Sequence, residues 1–234
     1  MPWKDYRSDI THAVFHSGVL SIGVRCFYGC SNLRTIFVND SVTLVGSYAF
    51  ASCSSLITAK LPNATTTIGE LAFGDCTALE GVIFGDGLTS IGSGAFLRCS
   101  SLRAVTIPDS VTTMDNTAFG GCTALISVTL GNGLKSINAN VFNNCTALTS
   151  ISIPEGVTVV ASSAFSGCRS LLNVSLPTTI LSLGQSVFYQ CSSLVSIIIP
   201  YNLINIGSNC FSECTSLNAI TFATEEWNIS IGAS

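Results

Sequence analysis

Nine cysteines set the frame for this chain: Cys30, Cys53, Cys76, Cys99, Cys122, Cys145, Cys168, Cys191 and Cys214 stand 23 residues apart without one insertion. A phenylalanine precedes each by three residues, from Phe27 and Phe50 through Phe188 and Phe211, and a leucine follows each by three, from Leu33 through Leu217. Unrelated positions of a globular fold have no reason to keep such lockstep. Self-similarity at a fixed period of 20–50 residues implies a solenoid, in which each coil is a slice of core that its neighbours complete.

The other apolar columns predict the shape of a coil. A short alternating run follows each leucine: Val105 and Ile107, Val128 and Leu130, Ile151 and Ile153, Val174 and Leu176. Such alternation with β-branched residues reads as a strand with one buried face. A proline or glycine ends the run (Pro62, Gly85, Pro108, Gly131, Pro154, Pro177, Pro200), since proline cannot continue a ladder. A second apolar pair comes next, such as Val111 with Met114. The coil closes on an "AF..C" corner whose near-helical spacing predicts a 3₁₀ or single helical turn. The expected core is formed by Phe96, Cys99, Leu102, Phe119, Cys122, Leu125, Phe142, Cys145, Leu148 and their equivalents.

Written as "L..I.IP..V..IG..AF.GC..L", these columns resemble the BspA-like, or Treponema pallidum-type, leucine-rich repeat, from Leu20 to about Phe222. The resemblance implies a right-handed coil with a parallel β-sheet on one face and short extended, 3₁₀ or single-turn segments on the other. "PWKDYRSDI" is similar to the lead-in of such proteins, and "TEEWNISIG" to a tail that follows their last coil. The implied organisation is an N-terminal half-coil cap at 1–19, nine repeats at 20–222 and a strand-like tail at 223–234. Ser41, Ala64, Gly87 and Ser110 stand where better-known leucine-rich repeats carry Asn or Cys, so an asparagine ladder is not carried over. The resemblance further implies a cell-surface or secreted adhesion protein that binds matrix proteins, host cells or other microbes, with no shared catalytic residues. The alternative is an intracellular scaffold whose cysteines stay reduced, suggested by eleven cysteines without an evident disulfide plan and by the lack of a secretion signal in these residues.

Composition narrows the chemistry. Charged residues are 9% of the chain, the net charge is −4, and the lysines and arginines are scattered, so nothing points to nucleic acid. No apolar run approaches the ~20 residues of a membrane span. The only histidines, His12 and His16, have the i, i+4 spacing of a helical zinc site. The repeat register makes that stretch a strand, where four residues separate them by ~13 Å. No metal site, catalytic arrangement or cofactor is expected. The column cysteines read as buried free thiols, because in-register stacking makes their Cβ vectors parallel. Cys26 and Cys210, in the small-residue place of Ala49, Ala72 and Ala95, read as the better exposed thiols.

The outward face of the strands is the expected binding surface, with Phe37, Lys60, Ile83, Thr106, Thr129, Ser152, Ser175 and Ile198 along one column. It is a hydroxyl-rich strip with apolar points, which serves equally as a docking face or as a coat that keeps a sheet soluble. At the ends, Trp3, Tyr6 and the half-coil Ile10–Phe15 are placed to cover the first repeat. Trp227, Ile229 and Ile231 form only a thin lid on the last, which makes the C-terminal edge a candidate for pairing with a second copy.

Overall fold

The computed structural model describes residues 3–223, a parallel β-solenoid of about nine turns. Each turn contributes one strand of three or four residues to a front face, from His12–Phe15 and Thr35–Val38 to Ala219–Phe222, and a two-residue strand to the back, from Ser21–Ile22 to Asn205–Ile206. The register is the repeat itself: Ala13 pairs with Ile36, Val105 with Val128, and Ile68 with Ile91. Alternation works as expected. In Ala104–Thr106 the central Val105 is buried while its neighbours face water.

The Phe, Cys and Leu columns fill the tube. Phe50, Phe73, Phe96, Phe119, Phe142, Phe165 and Phe188 are fully buried, as are the cysteines and leucines that follow them, while Phe211 and Leu217 in the last coil are partly buried. The phenyl rings form one continuous pile, with centroids 5.2 Å apart for Phe73 and Phe96 and 5.7 Å for Phe142's predecessor Phe119 and Phe142 itself. Offset stacking at such spacing is a favourable aromatic geometry, added to the burial of the rings. At the N-terminus Trp3 caps the pile, stacking on Phe27 at 5.2 Å and donating its indole N–H to the carbonyl of Cys26 at 2.7 Å. Phe15 packs edge-on against Phe27 and Phe50. Tyr6 covers nothing: its side chain is 63% exposed. Trp227, Ile229 and Ile231 lie outside the described residues.

The corner differs from the expected helical turn. Among the described residues the only regular helical segment is the 3₁₀ piece Lys4–Tyr6. In the corner, N–H groups alternate between two targets. Ala49, Ala51 and Cys53 donate back three residues, to Gly46, Tyr48 and Phe50. Between them Tyr48, Phe50 and Ser52 donate to the next coil, to the carbonyls of Glu70, Ala72 and Gly74 at 2.7 Å. A helix would keep every N–H inside its own segment. Satisfying the neighbouring coil instead requires left-handed residues four apart, here Tyr48 (φ 59) and Ser52 (φ 60), and the same pair recurs in every corner. The conformational cost of such residues is offset by a hydrogen-bonded ladder on the third side of the tube.

Candidate functional site

The front face is a repeated surface, and its detail is set by how neighbouring coils approach. Leu61 N–H reaches Ile83 O at 2.9 Å, Ile107 reaches Thr129 at 2.8 Å, and Ile153 reaches Ser175 at 3.0 Å. Phe84, Leu130 and Leu176, the equivalents in the intervening coils, make no such bond. The strands therefore sit in close pairs separated by splayed junctions. Sequence explains part of this. Gly85 lies over Pro62 and Gly131 over Pro108, where an added Cβ would stand 2.5 Å from the proline carbonyl carbon. The glycines permit close approach within a pair.

Two of the splayed junctions open into depressions. One, of about 510 Å³, lies between Thr35–Val38 and Thr58–Lys60 and is lined by Val14, His16, Phe37, Asp40, Lys60 and Pro62 among others. The second, of about 370 Å³, lies two coils further on, between Gly81–Ile83 and Ala104–Thr106, with Ile83, Asp86, Thr106 and Pro108 on its walls. Phe37 (63% exposed), Ile83 (61%) and Ile198 (64%) stand out from the face with their rings or side chains in solvent.

All eight residues named from sequence for this column, Phe37, Lys60, Ile83, Thr106, Thr129, Ser152, Ser175 and Ile198, are exposed on the front face. Register pairing joins Lys60 to Ile83, Thr106 to Thr129 and Ser152 to Ser175. Sequence reasoning left out Val14, which extends the column by one coil and is 55% exposed, and the depression walls His16, Asp40 and Pro62. The shared 23-residue register was the available signal.

The hydroxyls divide into two classes. Away from the front face, two columns of hydroxyls are committed to the preceding coil. Thr66 Oγ1 donates to Thr43 O at 3.2 Å and Thr89 Oγ1 to Thr66 O at 3.0 Å, and a second column runs through Thr77, Ser100, Thr123 and Thr146. These hydroxyls cap carbonyls and belong to the architecture. On the front face no hydrogen bond within the described residues engages the hydroxyls of Thr106, Thr129, Ser152 or Ser175. They are free to meet a partner.

The thiols take no part in this surface. Each column sulfur from Cys53 to Cys214 donates to the carbonyl of the phenylalanine 26 residues earlier, as Cys99 does to Phe73 at 3.2 Å. Burial pushes the thiols of Cys76, Cys122 and Cys168 up to about 12. Cys210 is also buried, with its thiol raised to about 11 by the same cause, so it is not the accessible thiol its terminal coil suggested. Cys26 alone is half-buried. Among the described residues no group of three or more His, Cys, Asp or Glu side chains is placed to hold a metal ion, and no helix is long and apolar enough to cross a membrane. His12 lies on the first strand, exposed, with its ring nitrogen 2.8 Å from Thr11 Oγ1.

The BspA-type leucine-rich-repeat family model matches residues 5–126 and 116–233, in six copies. The chain belongs to the BspA-type leucine-rich-repeat family. Among solved structures, this BspA-type chain is similar to a leucine-rich repeat protein of Bacteroides ovatus, at 26% identity over 91% of this chain and 69% of that one, with a TM-score of 0.75. The leucine-rich repeat protein of T. pallidum shares 30% identity over 80% of this chain and 84% of its own, with a TM-score of 0.63. The pneumococcal vaccine antigen PcpA, at 22% identity over 92% of this chain and 62% of that one, shares the fold with a TM-score of 0.59. No curated protein matches the sequence. The BspA-type family is one of repeat proteins that generally bind other proteins.

Proposed function

We propose that this BspA-type chain is a non-enzymatic adhesion module of a cell-surface or secreted protein, which docks a matrix, host-cell or microbial protein on the front face. One observation carries the reading: the hydroxyls of Thr106, Thr129, Ser152 and Ser175 stand exposed and unengaged in one column of the front face, whereas those of Thr66, Thr89, Thr77 and Ser100 are spent on carbonyls of the preceding coil. Exposed Phe37 and Ile83 beside Lys60 add apolar contact area around one charge. Among the described residues of this face no nucleophile, base and orienting group come together, and the reading is therefore binding.

The test is capture of the chain by immobilised extracellular-matrix proteins and by host cells. Replacing Phe37, Lys60 and Ile83 together with serine should reduce capture at least tenfold and leave the melting temperature within about 2 °C. Equal capture by the triple variant would reject the front face as the docking surface. In the same reading the exposed edge strand Ala219–Phe222 pairs with a second copy. Sizing chromatography should show a dimer that becomes a monomer when the chain is truncated before Ala219.

A second reading is favoured by the thiols. Eleven free cysteines, eight of them used as S–H donors, suit a reducing compartment and an intracellular scaffold. Surface labelling of intact cells with antibody separates the two: staining without permeabilisation supports adhesion, and staining only after it supports the scaffold.

A further inference from the structure

Successive turns of the solenoid are joined on three sides, by the back ladder, the corner and the front sheet. Between residues 112–134 and 135–157 two of the three lack a register pair. On the back, Thr66, Thr89, Thr112 and Thr158 each donate an N–H to the carbonyl 23 residues earlier, at 2.9–3.0 Å. Three residues on, Gly69, Gly92, Asp115, Ala161 and Gly184 donate to the carbonyl 24 residues earlier, at 2.8–2.9 Å. Lys135 and Asn138, which hold these two positions in their turn, make neither bond. The back strands accordingly fall into two ladders, one ending at Thr113–Met114 and the other starting at Ser136–Ile137.

The front sheet is interrupted at the same junction. No register pair joins Ser127–Thr129 to Ser150–Ser152; one backbone bond remains, Thr149 N–H to Ile126 O at 3.3 Å, with the hydroxyls of Thr149 and Thr146 bonded to Ile126 O and Thr123 O at 3.4 and 3.2 Å. Among the described residues this is the one junction without a register pair on either face. The junction between 158–180 and 181–203 also lacks a front pair but keeps its back pair, Val159–Val160 with Ser182–Leu183. The corner stays closed throughout, with Thr117, Phe119 and Gly121 bonded to Ala139, Val141 and Asn143 at 2.7–3.0 Å. The ring pile continues across the junction, with Phe119 and Phe142 5.7 Å apart, the same spacing as Phe165 and Phe188.

The residues at the gap explain it. Lys135 interrupts a column of threonines whose hydroxyls cap the preceding carbonyl, as Thr112 does for Thr89 and Thr158 for Lys135; Leu181 and Ile204 also lack the hydroxyl but stand beside Gly184 and Gly207 and keep the backbone bond, at 2.8 and 3.0 Å. Asn138 stands in a column of glycines where a side chain meets the backbone of the turn before: a Cβ at Gly69 would lie 2.6 Å from Ser47 N, and at Gly92 2.8 Å from Glu70 N. Asp115 and Ala161 carry a Cβ there and keep their bond, so the opening needs both substitutions in one turn.

We propose that the junction between residues 134 and 135 is a hinge, with the corner 117–121 against 139–143 as its axis. The solenoid then moves as two blocks, and the front column tilts between the half that bears Phe37, Lys60 and Ile83 and the half that bears Ser152, Ser175 and Ile198. The hinge follows from the backbone bonding alone and stands whether or not the front face is a docking surface.

Amide hydrogen exchange and relaxation dispersion on the full chain test it. Lys135 and Asn138 should exchange at least 100-fold faster than Thr158 and Ala161, and residues 112–115 and 135–138 should show microsecond-to-millisecond dispersion. The double variant Lys135→Thr/Asn138→Gly should gain at least tenfold protection at both positions and lose the dispersion. Protection of Lys135 and Asn138 equal to that of Thr158 and Ala161 in the unaltered chain overturns the open seam. Flat dispersion, or dispersion unchanged in the double variant, overturns the hinge.

Discussion

The thiol of Cys122 donates to the carbonyl of Phe96 at 3.2 Å, and the N–H of Cys99 donates to the same oxygen at 3.2 Å. One carbonyl thus uses both lone pairs, one within its own coil and one across to the next. Alanine at position 122 keeps the first bond and loses the second, together with a small buried volume. Cys122→Ala should lower unfolding free energy by about 1–2 kcal/mol, the combined scale of a weak buried hydrogen bond and a minor cavity. Urea denaturation at pH 7 measures it; an unchanged midpoint would mean the thiol is only filler.

The buried thiols make the fold sensitive to alkali. Thiols titrate near 9.0 when unfolded, whereas burial pushes Cys76, Cys122 and Cys168 up to about 12. Between these values the unfolded chain has lost protons that the folded chain retains, so stability falls as pH rises. It is fully present below pH 9.0 and declines toward 12, by about 1.4 kcal/mol per such thiol at pH 10. Melting temperature should therefore be flat from pH 7 to 8 and drop steeply from 9 to 10. In the native state a thiol-specific reagent should modify Cys26 first and the column cysteines only on unfolding.

Close approach within a strand pair predicts opposite outcomes at two glycines. A Cβ at Gly131 would press on Pro108 and Asp109 N, while a Cβ at Gly81 meets nothing within 4 Å. Gly131→Ala should cost about 2–3 kcal/mol, in the range of overpacking against immovable backbone. Gly81→Ala should be neutral or slightly stabilising, because it removes unfolded-state freedom from a strand residue. Paired thermal melts check both, and similar losses at the two sites would contradict the paired-strand geometry.

The period, the core columns and the front face were legible from sequence because one spacing fixes them all: residues 23 apart are neighbours. Local conformation was not. Tyr48, Ser52 and Leu71 adopt left-handed backbone that their residue types do not advertise, and the signal from Gly121, Asn140, Asn144 and Gly167 at the equivalent places was diluted by them, so the corner read as helical. The division of hydroxyls was equally hidden, since Thr66 and Thr106 look alike until one is seen to face a carbonyl and the other water. Cys210 read as exposed because its coil is terminal, but the corner that surrounds it is closed by Phe188 N–H bonding to its own carbonyl at 2.9 Å. Lys135 and Asn138 were visible as departures from their columns; that they open a ladder follows only from the bonds their neighbours make.

The ring pile offers the most direct test. Phe119 is fully buried between Phe96 and Phe142, at 5.1 and 5.7 Å. If the coils are slices of one core, Phe119→Ala removes a ring from two stacks at once and should destabilise the chain by about 3–5 kcal/mol, the usual cost of truncating a core aromatic. Chemical denaturation of the purified variant provides the measurement. A midpoint equal to that of the unaltered chain would contradict a continuous stacked core.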